Sequence, residues 1–133
     1  MVSFHVTEKG DWWVNRNNLE KMGYFPNWDL QNELIPYFTV DGNIVDCYDG
    51  AVFEGPQLDT LIMQLDIAIT DIKTKPKEWP ISEERLQVYW DDVKSDSLAP
   101  LQPREQSIAV LERAVELAKQ ARKSNEKLHF VGD

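Results

Sequence analysis

Between Met22 and Ile72 the chain has no lysine and no arginine. The same stretch holds nine acids: Asp29, Glu33, Asp41, Asp46, Asp49, Glu54, Asp59, Asp66 and Asp71. Such a region repels phosphate backbones, so nucleic acid is not expected as a partner. The other shortages are equally informative. Cys47 is the only cysteine, which excludes an internal disulfide, and beside Asp46 in an expected strand it reads as a buried, inert thiol. His5 and His129 are the only histidines and lie far apart in the chain. No CxxC, HExxH or EF-hand loop is present, so no metal or other cofactor is expected. Six glycines form no phosphate-binding loop, and no GxSxG elbow appears. No apolar run is long enough to span a bilayer, and the opening MVSFHVTEKGDWW lacks a basic region ahead of an apolar one. The expected location is therefore the cytoplasm, with no membrane partner.

Against these absences stand 133 residues with a net charge of −9, enough for one domain spanning 1–133. The acidity is regional. Lysines return at Lys73, Lys75 and Lys77, and from Pro103 onward basic and acidic residues nearly balance. A surface of one sign steers partners of the opposite sign, although acidity also serves solubility alone.

Periodicity predicts an α+β fold, with a small antiparallel sheet packed against two long amphipathic helices. Val2–Val6 reads as a first strand and Asn15–Met22 as a short helix ended by Gly23. Glu33–Phe53 reads as a hairpin turning at Asp41-Gly42, with a second turn at Asp49-Gly50. Residues 56–74 are the clearest element. Pro56 suits a first helical turn, and Leu58, Leu61, Ile62, Leu65, Ile69 and Ile72 fall on one stripe. Residues 103–125 form a second long helix with Ile108, Leu111, Val115 and Ala118 on one side, and Leu128–Val131 adds a strand. Residues 82–95 fit helix and strand, and Ser82 as a cap with Glu83 and Glu84 in the first turn favours helix.

Two groups of residues stand out as candidate partner-binding positions. In the first, Met63 and Ile67 lie nearly opposite the apolar stripe of their helix, flanked by Asp59, Asp66 and Asp71. Either the helix is buried on two sides, or these residues form an interface with an apolar centre and an acidic rim. Asp41, Asp46, Asp49 and Glu54 extend this acidic surface, although turn formation alone explains the first three. In the second, Trp12, Trp13 and Trp28 offer large area with few rotors. Adjacent Trp12 and Trp13 on a strand point to opposite faces, and such aromatics also serve to cap a small core under loops. Trp79, between Pro76 and Pro80, is expected to seal a helix end.

Several segments together resemble small bacterial immunity proteins of contact-dependent inhibition and related polymorphic toxin systems. They are Asp11-Trp12-Trp13-Val14-Asn15, Phe53-Glu-Gly-Pro-Gln-Leu58 leading into an amphipathic helix, Pro76-Lys-Glu-Trp79, a long helix, and Leu128-His-Phe-Val-Gly-Asp133. The likeness lies in size, charge and layout across most of the chain. It implies a non-enzymatic protein that binds a cognate toxin domain, often a nuclease, and covers or distorts its active site. Two alternatives share the acidic surface: a phage or plasmid adaptor that mimics nucleic acid, and an enzyme with an unrecognised carboxylate site.

Overall fold

The first and last strands of the chain lie side by side. The computed structural model describes residues 2–8, 19–46, 49–77, 79 and 103–132. In chain order these form β1 (Ser3–Thr7), a 3-10 turn at Leu19–Lys21, β2 (Met22–Tyr24), α1 (Trp28–Leu34), a 3-10 turn at Ile35–Phe38, β3 (Ala51–Phe53), α2 (Pro56–Ile72), α3 (Pro103–Lys123) and β4 (Lys127–Val131). The four strands make one antiparallel sheet in the order β2-β1-β4-β3. β1 and β4 pair along their whole length, from Ser3 opposite Val131 to Thr7 opposite Lys127. The fold is α+β, as the periodicity predicts.

Side chains alternate across a strand, so Phe4, Val6, Leu128 and Phe130 share one face of the sheet. Onto that face fold all five phenylalanines of the chain, each fully buried. Phe130 is the hub, with ring centroids 5.4 Å from Phe4, 5.1 Å from Phe38 and 5.6 Å from Phe53. Phe25 closes the group against Phe4 and Phe38. Most of these contacts are edge-to-face or tilted, the geometry favoured by the ring quadrupole. The close packing fixes a glycine: a side chain on Gly23 would enter the ring of Phe4. On the opposite face His5 and His129 stand directly across from each other, and both are buried. The only two histidines, far apart in sequence, are thus neighbours at the centre of the sheet.

α2 and α3 cover the phenylalanine face. α2 buries Leu58, Leu61, Leu65, Ala68, Ile69 and Ile72. α3 meets it with Val110, Leu111, Ala114, Val115, Leu117, Ala118 and Ala121. The alanines let the two helices approach closely, and each buried leucine contributes about 1.5–3 kcal/mol. The join between α3 and β4 is equally defined. Asn125 adopts a left-handed φ of 57°, and Glu126 N–H donates to the Ala121 carbonyl at 2.8 Å. That helix-ending motif satisfies a terminal carbonyl and turns the chain directly into the sheet.

Three expectations are corrected. The Glu33–Phe53 hairpin does not form as a whole, because Glu33 and Leu34 belong to α1 and Ile35–Phe38 to a 3-10 turn. The cause is a helix start at Asn27, whose side chain accepts from Leu30 N–H at 2.9 Å. Leu30, Leu34 and Phe38 then recur at helical spacing, and all are buried. Among the described residues of the expected hairpin, Ala51–Phe53 alone joins the sheet. Second, of the helix expected over Asn15–Met22, residues 15–18 lie outside the described residues and Leu19–Lys21 form a 3-10 turn. Met22 and Gly23 are strand residues paired with His5 and Phe4. Third, the long helices end at Ile72 and Lys123, slightly earlier than expected. Residues 82–95 and Cys47 lie outside the described residues.

Candidate functional site

The side of α2 that faces away from the core carries an unusual row. With 3.6 residues per turn, positions four apart form a ridge along a helix. Asp59, Met63, Ile67 and Asp71 make one such ridge, an apolar pair with a carboxylate at each end. Met63 is 58% exposed and Ile67 65% exposed. The helix is therefore buried on one side only, and two large apolar side chains remain in water. Asp66 and Thr70 flank the ridge on one side and Thr60 on the other. The helix from Pro56 to Ile72 contains no basic residue.

Among the described residues, cations from outside the helix reach the ends of this ridge and not its middle. Arg122 of α3 donates through Nε to Asp59 at 3.1 Å, and Lys75 lies 3.8 Å from Asp71. Asp66 makes no ion pair among the described residues. Both ion pairs are solvent-exposed, and such pairs contribute little and exchange partners readily. Near the Asp71 end of the ridge, burial raises the pKa of Tyr37 above its ordinary value of 10.0. The charges of Asp71 and Glu33 raise it further. Tyr37 thus registers the negative field where α1, the 3-10 turn and α2 meet.

The acids of residues 41–54 occupy different settings. Asp41 and Gly42 both have positive φ, 51° and 81°, in a two-residue turn closed by reciprocal bonds between Val40 and Asn43. This is the turn expected from Asp-Gly. The side chain of Asn43 donates to the Val52 carbonyl at 2.6 Å, fixing the turn to β3. Asp46 and Gly50 close a second turn, in which the Asp46 carboxylate accepts from Asp49 N–H at 3.0 Å. Gly50 has φ 73°, and a side chain there would collide with the Phe130 carbonyl, so the turn sits tightly against β4. Asp41, Asp46 and Asp49 are exposed at these turns. Glu54 is set apart, paired with Lys127 at 2.9 Å. It borders a polar cavity of about 670 Å³ with Glu8, Gln57, Asn125 and Glu126. Glu126 is itself paired with Lys21 at 3.4 Å.

Of the tryptophans, Trp28 is 56% exposed at the start of α1, while Trp79 is half-buried against the core. Trp12 and Trp13 lie outside the described residues. The structure therefore groups Asp59, Met63, Asp66 and Ile67 on one helix face, places Asp41, Asp46 and Asp49 on two turns beside β3, pairs Glu54 with Lys127 between β3 and α2, and exposes Trp28 at the start of α1.

Sequence reasoning did not find a second exposed apolar region. An apolar groove of about 540 Å³ runs between β2 and α3, walled by Leu19, Tyr24, Pro26, Ala109 and Val110. At its end Arg113 donates to the carbonyls of Met22 and Leu19, at 3.1 and 2.9 Å. No periodic signal marks it, because its walls come from segments about ninety residues apart in the chain.

Among the described residues, no cluster of three or more His, Cys, Asp or Glu could hold a metal ion, and no helix is long and apolar enough to cross a membrane. Comparison with protein-family models, curated proteins and solved structures finds no match for this chain.

Proposed function

We propose that this chain is a binding protein whose acidic side docks on a basic protein, and that this partner is a bacterial toxin domain which it neutralises. The observation that carries the reading is the outer ridge of α2, where Met63 and Ile67 are held in water between carboxylates. A helix needs no exposed Met and Ile to fold, and an apolar centre with a charged rim is the anatomy of a protein interface. The charged residues of α2 itself are all acids, Asp59, Asp66 and Asp71, with Arg122 and Lys75 pairing only the two at the ends, so the complementary surface is basic. In a toxin that acts on nucleic acid, the cleft that receives phosphates has that charge. Carboxylates laid across it would exclude the substrate. Long-range attraction would speed association, while the buried apolar pair would slow release. A cytoplasmic location follows from where such a toxin does its damage.

Nucleic-acid mimicry is the alternative use of the same charge. The apolar pair at the centre of the ridge favours a dedicated protein partner, because a phosphate mimic requires carboxylates there.

The test is co-expression with the product of the adjoining reading frame. The reading predicts that this product is basic, arrests growth alone, and is silenced in a stable complex with this chain. Continued growth arrest and no complex on size exclusion would refute it. Inhibition of several unrelated DNA-binding proteins would favour mimicry instead.

A further inference from the structure

We infer that the segment docking on α2 is a cationic amphipathic helix, in which two apolar residues four apart are bracketed by lysine or arginine at the same spacing. This inference rests on the basic-partner reading above and specifies the shape of the partner.

Three features of the ridge lead there. First, Asp59, Met63, Ile67 and Asp71 are spaced by one helical turn each, so the row is about 18 Å long at 1.5 Å per residue. Rows at four-residue spacing on one helix interdigitate with equivalent rows on another, the commonest mode of helix packing. A partner row of base, apolar, apolar, base is the complement in both charge and hydropathy. Second, the backbone of α2 offers no free hydrogen-bonding edge along its middle. An extended basic tail could not add to it as a strand, and only half of its side chains would face the ridge. Third, the middle of the face is the part that no cation among the described residues pairs with. Arg122 and Lys75 reach Asp59 and Asp71 at the two ends, leaving Met63, Asp66 and Ile67 open. The exposed ion pairs at the ends can be exchanged for pairs with the partner at little cost.

The test uses the full chain and two synthetic peptides of about 16 residues, roughly four helical turns. One repeats Lys-x-x-x-Leu-x-x-x-Leu-x-x-x-Lys with alanine and glutamine between. The other has identical composition but scatters the leucines around the helix. Affinity is read by fluorescence anisotropy at about 50 mM salt, where screening is modest, and the site is read by amide chemical-shift mapping. The expected result is that the patterned peptide binds at least about tenfold more tightly than the scattered one. Its shifts should centre on residues 59–71, and Met63→Ser with Ile67→Ser should abolish its advantage. Equal binding of the two peptides, or full binding by the double variant, would overturn the inference while leaving charge-driven recognition of a basic partner intact. Absence of binding by either peptide would overturn the inference and count against the basic-partner reading as well. If the natural complex is disrupted by reversing Asp41, Asp46 and Asp49 but not by the Met63/Ile67 pair, the inference fails and the broader reading stands.

Discussion

α2 and α3 pack against each other and against the same sheet face, yet their outer sides follow opposite rules. α3 carries charges of both signs. Arg113 pairs with Glu116 one turn away at 2.9 Å, and its exposed positions are otherwise polar or alanine. α2 carries charges of one sign and exposes Met63 and Ile67 in their midst. The inner faces are alike in being mainly aliphatic, leucine and isoleucine with one alanine on α2, and leucine, valine and alanine beside Pro103 and Ser107 on α3. The requirements of the fold account for α3 outside the groove it shares with β2, and for only the inner half of α2. What the fold does not require on α2 is what recognition of a partner would.

The comparison is broken most severely from the inside. Leu65 is fully buried on α2, and Leu65→Ala should cost about 2–5 kcal/mol, from lost burial and the cavity left behind. Urea unfolding measures it. The matching change on α3 is the reverse kind. Ala118 is fully buried where the helices meet, and Ala118→Leu should cost about 1–3 kcal/mol by forcing them apart. Loss below about 0.5 kcal/mol for either would mean that the helices do not pack as described.

The next change lies on the seam between the two outer faces. Arg122→Ala removes the cation at Asp59 and should lower stability by no more than about 1 kcal/mol, since the pair is exposed. The same variant should strengthen binding of a basic partner by freeing a carboxylate, a gain that fades at high salt. A smaller effect concerns Tyr37. Because its folded-state pKa is raised, its contribution to stability is full below the unfolded value and is lost as pH rises through the folded value. The chain should therefore lose stability on the alkaline side, and Tyr37→Phe should lose less. Asp71→Asn should bring the Tyr37 titration back toward ordinary phenol behaviour, as followed by ultraviolet absorbance. An unchanged titration would mean that Asp71 does not act on the phenol.

The two halves of this contrast were legible in the sequence to different degrees. Pro56 and the spacing of Leu58, Leu61, Leu65, Ile69 and Ile72 specify α2 almost to its ends, because one stripe of apolar residues has a single helical solution. The same pattern marked Met63 and Ile67 as out of place but left two outcomes, since a helix buried on both sides and an exposed apolar pair share one sequence. The Asp41-Gly42 turn was legible because few residue pairs accept positive φ at both positions. The stretch from Glu33 to Phe38 departs from its local strand preference for a definite reason. Leu34, Ile35, Tyr37 and Phe38 suit a strand locally, and the cap at Asn27 and the burial of Leu30, Leu34 and Phe38 override that preference. The phenylalanine cluster, the opposed His5 and His129, and the groove at Tyr24 were not legible. Each depends on β1 meeting β4 or β2 meeting α3, and no local rule carries such a pairing.

The exposed pair on α2 offers the most direct measurement. In the variant carrying Met63→Ser and Ile67→Ser, stability and affinity for the patterned cationic peptide should be determined side by side. Solvent-exposed substitutions away from caps and core usually change stability by less than about 0.5 kcal/mol. The account predicts an unfolding midpoint close to that of the parent chain, together with a fall in peptide affinity of about tenfold or more. A variant that unfolds more easily while binding the peptide as well as the parent would contradict it, because Met63 and Ile67 would then serve the fold and not a partner.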